Sequence, residues 1–91
     1  MNDSNIIYVG NKPTINYVLA VMRAFTYLDV DNVVLKARGR AISKAVDVTE
    51  ILRKRLLANQ VDIKDIKIDT EILGEDMRNV STIEIVLEKK A

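Results

Sequence analysis

Ile6-Ile7-Tyr8-Val9-Gly10-Asn11-Lys12-Pro13, continued by Thr14 to Thr26, is the stretch that decides the fold of this 91-residue chain. Ile6 to Val9 is a short β-prone run closed by Gly10, and Pro13 stands where a first helical residue needs no N–H. Ile15, Val18, Leu19, Met22 and Phe25 recur at helical spacing, which predicts a helix to about Thr26 with that stripe in the core. After a short connection, Asn32 to Arg38 reads as a β-branched strand ending at Gly39. A strand, helix and strand of these lengths require parallel pairing with a right-handed crossover.

Outward from this unit, a second helix is expected from about Ala41 to Leu57. Ile42, Ala45, Val46, Thr49, Leu52 and Leu56 form its apolar face, with Val48 and Ile51 on a shoulder. That stripe is wider than one sheet requires, so either a second helix or, in so small a domain the preferred reading, a second subunit is expected over the shoulder. Val61 to Leu73 carries Ile66, Ile68, Thr70 and Ile72 in strict alternation, and its apolar phase slips between Ile63 and Ile66, which predicts a bulge or a strand start near Lys64. Thr82 to Leu87 alternates again, with Ile83, Ile85 and Leu87 inward, and Gly74 to Asn79 forms the polar tip of a hairpin. The order βαβαββ predicts an α+β fold, a two-layer sandwich of a four-stranded mixed sheet and two helices on one face, as a single domain over residues 1–91.

Composition removes much chemistry. Without Cys there is no disulfide, thiolate nucleophile or thiolate metal site, and without His the side chain best suited to neutral-pH proton transfer is missing. No enzyme activity and no cofactor are expected. Gly10-Asn11-Lys12-Pro13-Thr14 lacks the first Gly and spacer of a Walker loop, and no Gly-x-Gly-x-x-Gly occurs. A phosphate-ligand enzyme at the Gly10 and Gly39 turns is therefore a poor alternative. Glu71, Glu75 and Asp76 read as a solvated tip rather than a metal site. No apolar run approaches the ~18 residues of a membrane span, and Met1 to Ser4 lacks a basic signal start, so a cytoplasmic protein without membrane association is expected.

The formal charge of +1 conceals a gradient: net −1 over residues 1–32, +5 over 33–60 and −3 over 61–91. In the basic middle, Lys36-Ala37-Arg38-Gly39-Arg40 leaves a strand, turns at a Gly and enters a helix N-terminus, where free N–H groups and the helix dipole favour anions. Gly10-Asn11-Lys12-Pro13 repeats the arrangement at the first helix. Parallel strands place both helix starts at one edge, and two neighbouring anion sites suit a phosphate backbone.

The runs Ile7 to Pro13, Asn16 to Ala20, Lys36-Ala37-Arg38-Gly39-Arg40-Ala41-Ile42-Ser43-Lys44-Ala45-Val46-Asp47 and Ser81 to Ile85 closely resemble the archaeal Alba chromatin proteins, over roughly Ile6 to Lys89. The resemblance implies a fold like the C-terminal domain of bacterial translation initiation factor three, and a homodimer. It implies binding of double-stranded DNA, and of RNA, through phosphates with little sequence preference, coating or compacting DNA in association with the chromosome. A mainly RNA-directed role, as RNA chaperone or ribonucleoprotein subunit, is the alternative. The nucleic-acid contacts it implies are Lys12 with Asn11, Lys36, Arg38, Arg40, Lys44 and, on the hairpin, Arg78. Val48, Ile51, Leu52, Arg55 and Leu56 are the expected oligomer surface, including dimer-to-dimer contacts along DNA. Three departures stand out: Asn11 replaces the first of a frequent Lys pair, the hairpin is short and acidic around Arg78, and Leu56 stands where some relatives carry Phe.

Overall fold

The computed structural model describes residues 5–90, so residues 1–4, read above for a targeting signal, lie outside the described residues. Strand β1 spans Ile6–Tyr8, helix α1 Thr14–Thr26, strand β2 Asn32–Arg38, helix α2 Ala41–Ile51, strand β3 Val61–Leu73 and strand β4 Arg78–Lys89. One sheet of order β1-β2-β4-β3 results, with β1 parallel to β2 and the other pairs antiparallel. The expected α+β layering is present. Val33, Leu35 and Ala37 of β2 and Ile83, Ile85 and Leu87 of β4 alternate inward and are buried against α1 and α2.

The slip near Lys64 is a β-bulge, since the β3–β4 register shifts between Ile63 and Asp65. Strand β4 is longer than its alternation indicated. Arg78 to Ser81 lack an apolar period, yet they pair with Leu73 to Thr70, so the tip contracts to Gly74–Met77 and the hairpin forms a long arm. This arm gives the molecule its 45 Å long dimension against 27 and 19 Å.

Two helix-face expectations are corrected. In α1 the buried residues are Tyr17, Val18, Val21, Ala24 and Phe25, while Ile15 and Leu19 are exposed. Nearly every position from Ile15 to Phe25 is apolar, so several faces satisfy the helical period. The face chosen puts small β-branched residues against the sheet and the Tyr17 hydroxyl within reach of backbone donors. In α2, Val48 and Leu52 are fully buried in the protomer's own core, so neither can serve as oligomer surface, and Val46 points outward instead. At the shoulder, Val48 is covered within the same chain, while Ile51 stays half-buried.

Beyond Ile51 the helix widens into a π-turn, Leu52–Leu56, closed by the Leu57 N–H donating to the Leu52 carbonyl at 2.7 Å. The inserted residue rotates the following side chains. Leu57 therefore packs against the core, whereas Leu56, four residues after Leu52, is 47% exposed. Leu52→Ala is expected to lower unfolding free energy by about 2–5 kcal/mol, and Leu56→Ala by less than ~1, in chemical denaturation of the dilute protein. Equal losses would contradict this change of phase.

Candidate nucleic-acid interface

Parallel pairing of β1 with β2 brings the C-terminal ends of both strands, the turns that follow and the N-termini of α1 and α2 to one edge. At the second turn Gly39 has φ +56°, a left-handed conformation costly for other L-residues, and its N–H donates to the Ser81 carbonyl at 2.8 Å. The glycine thus directs Arg38 along β2 and Arg40 into the start of α2. Neither helix has a side-chain cap or an acidic residue in its first turn. The positive ends of both dipoles are unneutralised by the protein itself.

Ion pairing sorts the seven residues expected at the interface. Lys12, Arg40 and Lys44 have no ion-pair partner among the described residues, and Asn11 is exposed beside Lys12. Arg40 and Lys44 lie four residues apart, which places them on one side of α2, and the Lys44 ammonium reaches the Lys12 carbonyl at 2.7 Å. These three cations therefore gather at the edge that carries the two helix starts.

The other bases are engaged. Lys36 pairs with Glu84 at 3.2 Å on the outer sheet face, where a shallow depression of 530 Å³ is also lined by Tyr8, Arg38 and Glu71. Its hydrogen bond to Glu84 and the attraction of that carboxylate hold its pKa above the usual lysine value. The stabilisation is complete below that usual value and is lost as pH rises through the raised one. Arg38 faces Glu71 of β3 at 3.6 Å, with both side chains largely exposed, and Arg78 faces Asp76 at 3.4 Å beside the hairpin tip. Arg78 belongs to the arm and stands apart from the helix-start cluster. Of the acids of the expected solvated tip, Glu71 and Asp76 thus serve as arginine partners, and among the described residues no three His, Cys, Asp or Glu converge as a metal site.

On the expected oligomer surface, Ile51 is half-buried and Arg55 and Leu56 are exposed. Nearby, Arg53 and Lys54 both pair with Glu50, and the hydrogen bond from Arg53 is the main cause holding the Glu50 carboxyl below its usual pKa. This contribution to stability is present above the usual carboxylate value and fades as pH falls through the lowered one. The larger uncovered apolar surface lies elsewhere. Ile66, Ile68 and Ile72 of β3 are exposed, Ile68 by 80%, although Ile66 and Ile68 lie directly opposite the buried Ile85 and Ile83. The alternation of β3 was legible in sequence, but its lack of a covering helix was not.

A mixed four-stranded sheet backed by two helices, with two uncapped helix starts and a cluster of unpaired bases at one edge, defines a class of small α+β proteins with an anion-receptive edge. The chain belongs to the Alba family, whose model matches residues 5–70. It is 57% identical to DNA/RNA-binding protein Alba 1 of Archaeoglobus fulgidus over 88 residues, 94% of this chain and 97% of the relative. It is 53% identical to DNA/RNA-binding protein Alba of Nanoarchaeum equitans, covering 92% and 97%. Among solved structures, Alba from Thermoplasma volcanium superposes with a TM-score of 0.84 at 50% identity, covering 92% of this chain and 99% of that one. ALBA1 from Trypanosoma brucei superposes at 0.79 and 27% identity, covering 98% and 72%. No helix among the described residues is long and apolar enough to cross a membrane.

Glu71 competes with any external anion for Arg38. Glu71→Gln is expected to tighten binding to duplex DNA about two- to fivefold at low salt, measured by fluorescence anisotropy, the range appropriate to an exposed ion pair. Unchanged or weaker binding would place Arg38 away from the contact.

Proposed function

We propose that this chain acts as one Alba-type domain that binds double-stranded DNA, and RNA, through backbone phosphates with little sequence preference. The observation that carries this reading is the meeting of Lys12, Arg40 and Lys44, all without ion-pair partners among the described residues, at two uncapped helix N-termini. Charge and N–H groups of this kind recognise phosphate and carry no base-edge code. The names of the archaeal relatives, DNA/RNA-binding protein Alba, support the same reading. The protein works by binding rather than catalysis, as a cytoplasmic, chromosome-associated component that coats and compacts DNA.

A homodimer follows from the exposed isoleucine face of β3, which continues the protomer's core outward at Ile66 and Ile68. A second copy covering that face would double the phosphate contacts while leaving the net charge per chain near +1. Ile51, Arg55 and Leu56 at the far end of α2 remain available for contacts between dimers along DNA. Arg78, on the arm, would assist in a minor groove, where narrowing concentrates negative potential.

Salt-titrated binding tests the proposal. Wild type is expected to lose affinity linearly in logarithmic salt, with a slope of about 0.9 per phosphate neutralised on duplex DNA. Arg40→Ala should reduce that slope by about one phosphate and weaken all sequences alike, whereas Arg38→Ala, already paired with Glu71, should change it less. Affinity indifferent to salt would overturn the reading. Competition between duplex DNA and structured RNA at fixed salt decides which is preferred. For the dimer, sedimentation should give two chains for wild type and one for Ile68→Lys.

A further inference from the structure

The turn that carries Lys12 is held by two side chains from different helices. Tyr17 of α1 is buried, and its hydroxyl oxygen accepts from the Gly10 N–H at 2.9 Å and from the Lys12 N–H at 3.0 Å. Lys44 of α2 is half-buried, and its ammonium donates to the Gly10 carbonyl at 3.2 Å and to the Lys12 carbonyl at 2.7 Å. Both backbone donors and both backbone acceptors of Gly10 and Lys12 are thereby engaged, leaving Asn11 at the exposed crown. A phenolic oxygen has two acceptor sites and an ammonium three donors, so Tyr17 is saturated as an acceptor while Lys44 keeps one N–H for solvent or ligand.

We propose that Tyr17 and Lys44 are positioning residues that clasp the Gly10–Lys12 turn and set the spacing between Lys12 and the start of α2. This proposal rests on the phosphate-binding reading above and assigns Lys44 a role besides direct contact. The Gly10 and Lys12 amides, bonded to Tyr17, are not offered to an external anion. Phosphate at the first helix start is met by the Lys12 side chain, with Asn11, from a backbone already fixed. A lysine on a fixed turn loses less freedom on binding than one on a loose turn, and affinity gains accordingly. Because Lys44 extends from the second anion site to tie down the first, the two sites are mechanically one.

Two substitutions in the full chain test this: Tyr17→Phe, which keeps the ring in the core, and Lys44→Met, which keeps the stem. Amide exchange at Gly10 and Lys12, read by NMR, and salt-titrated binding to duplex DNA are measured on both and on the double variant. Tyr17→Phe should accelerate exchange at both amides and weaken binding about three- to tenfold, the effect of losing one or two net hydrogen bonds, with the salt slope unchanged because no charge is lost. Lys44→Met should also accelerate exchange, and the double variant should lose less affinity than the two single losses combined. Wild-type exchange and affinity in Tyr17→Phe, with salt-dependent binding intact, overturns the clasp and leaves the functional reading standing. A salt slope reduced by about 0.9 in Lys44→Met with turn exchange unchanged makes Lys44 a phosphate contact only and also overturns it. Wild-type binding indifferent to salt overturns the functional reading and, with it, any role of the clasp in binding.

Discussion

The parallel hydrogen bonding of β1 to β2 is the constraint on which the rest depends. It is short, pairing Ile6 with Val34, Ile7 with Leu35 and Tyr8 with Lys36, and it is extended by the Val9 N–H donating to the Lys36 carbonyl at 2.8 Å. Two strands that run the same way must leave the sheet at the same edge, and the crossover between them must be a helix packed on one face. The Gly10 and Gly39 turns, the starts of α1 and α2, and Lys12, Arg40 and Lys44 all inherit their proximity from this one pairing. Reversing β1 would carry Lys12 to the opposite edge and dissolve the cluster without altering a charge.

How the sequence discloses this follows the range of each interaction. The β-branched run of β2, the alternation at Ile83, Ile85 and Leu87, the bulge near Lys64 and the glycine at Gly39 are local patterns, and local patterns are legible in a sequence. The face of α1 was not legible, because a helix apolar almost all round specifies burial without direction. The π-turn was not legible either, since i+4 spacing from Leu52 points to Leu56 while the widened turn delivers Leu57. Within the candidate interface, the residue types and the two helix starts were evident. The pairing of Arg38 with Glu71 and the reach of Lys44 to main-chain carbonyls of residues 10 and 12 were not. Backbone acceptors leave no mark in composition.

Electrostatics in this protein is a matter of allocation more than of total. Outside the cluster of Lys12, Arg40 and Lys44, the bases Lys36, Arg38, Arg53, Lys54, Arg78, Lys89 and Lys90 have a carboxylate within reach, whereas Arg23, Arg55, Lys64 and Lys67 have no ion-pair partner among the described residues. Exposed pairs of this kind contribute little to stability, but they cancel long-range field, so the three unpaired cations gathered at the helix starts stand out against partly neutralised surroundings. A chain of near-zero charge can in this way present an oriented positive surface.

Strand β3 is a sheet edge thirteen residues long with isoleucines exposed along one face, the profile of a segment prone to add strands from other molecules. Its opposite face alternates Asp65, Lys67, Asp69 and Glu71, and the bulge at Lys64 interrupts its regular hydrogen-bond row. A second β3 laid antiparallel with Lys67 against Lys67 would set Asp65 against Asp69, like charge against like, and would lose bonds at the kink. The arm can therefore keep its apolar face accessible while its charges and its kink oppose fibrous self-association.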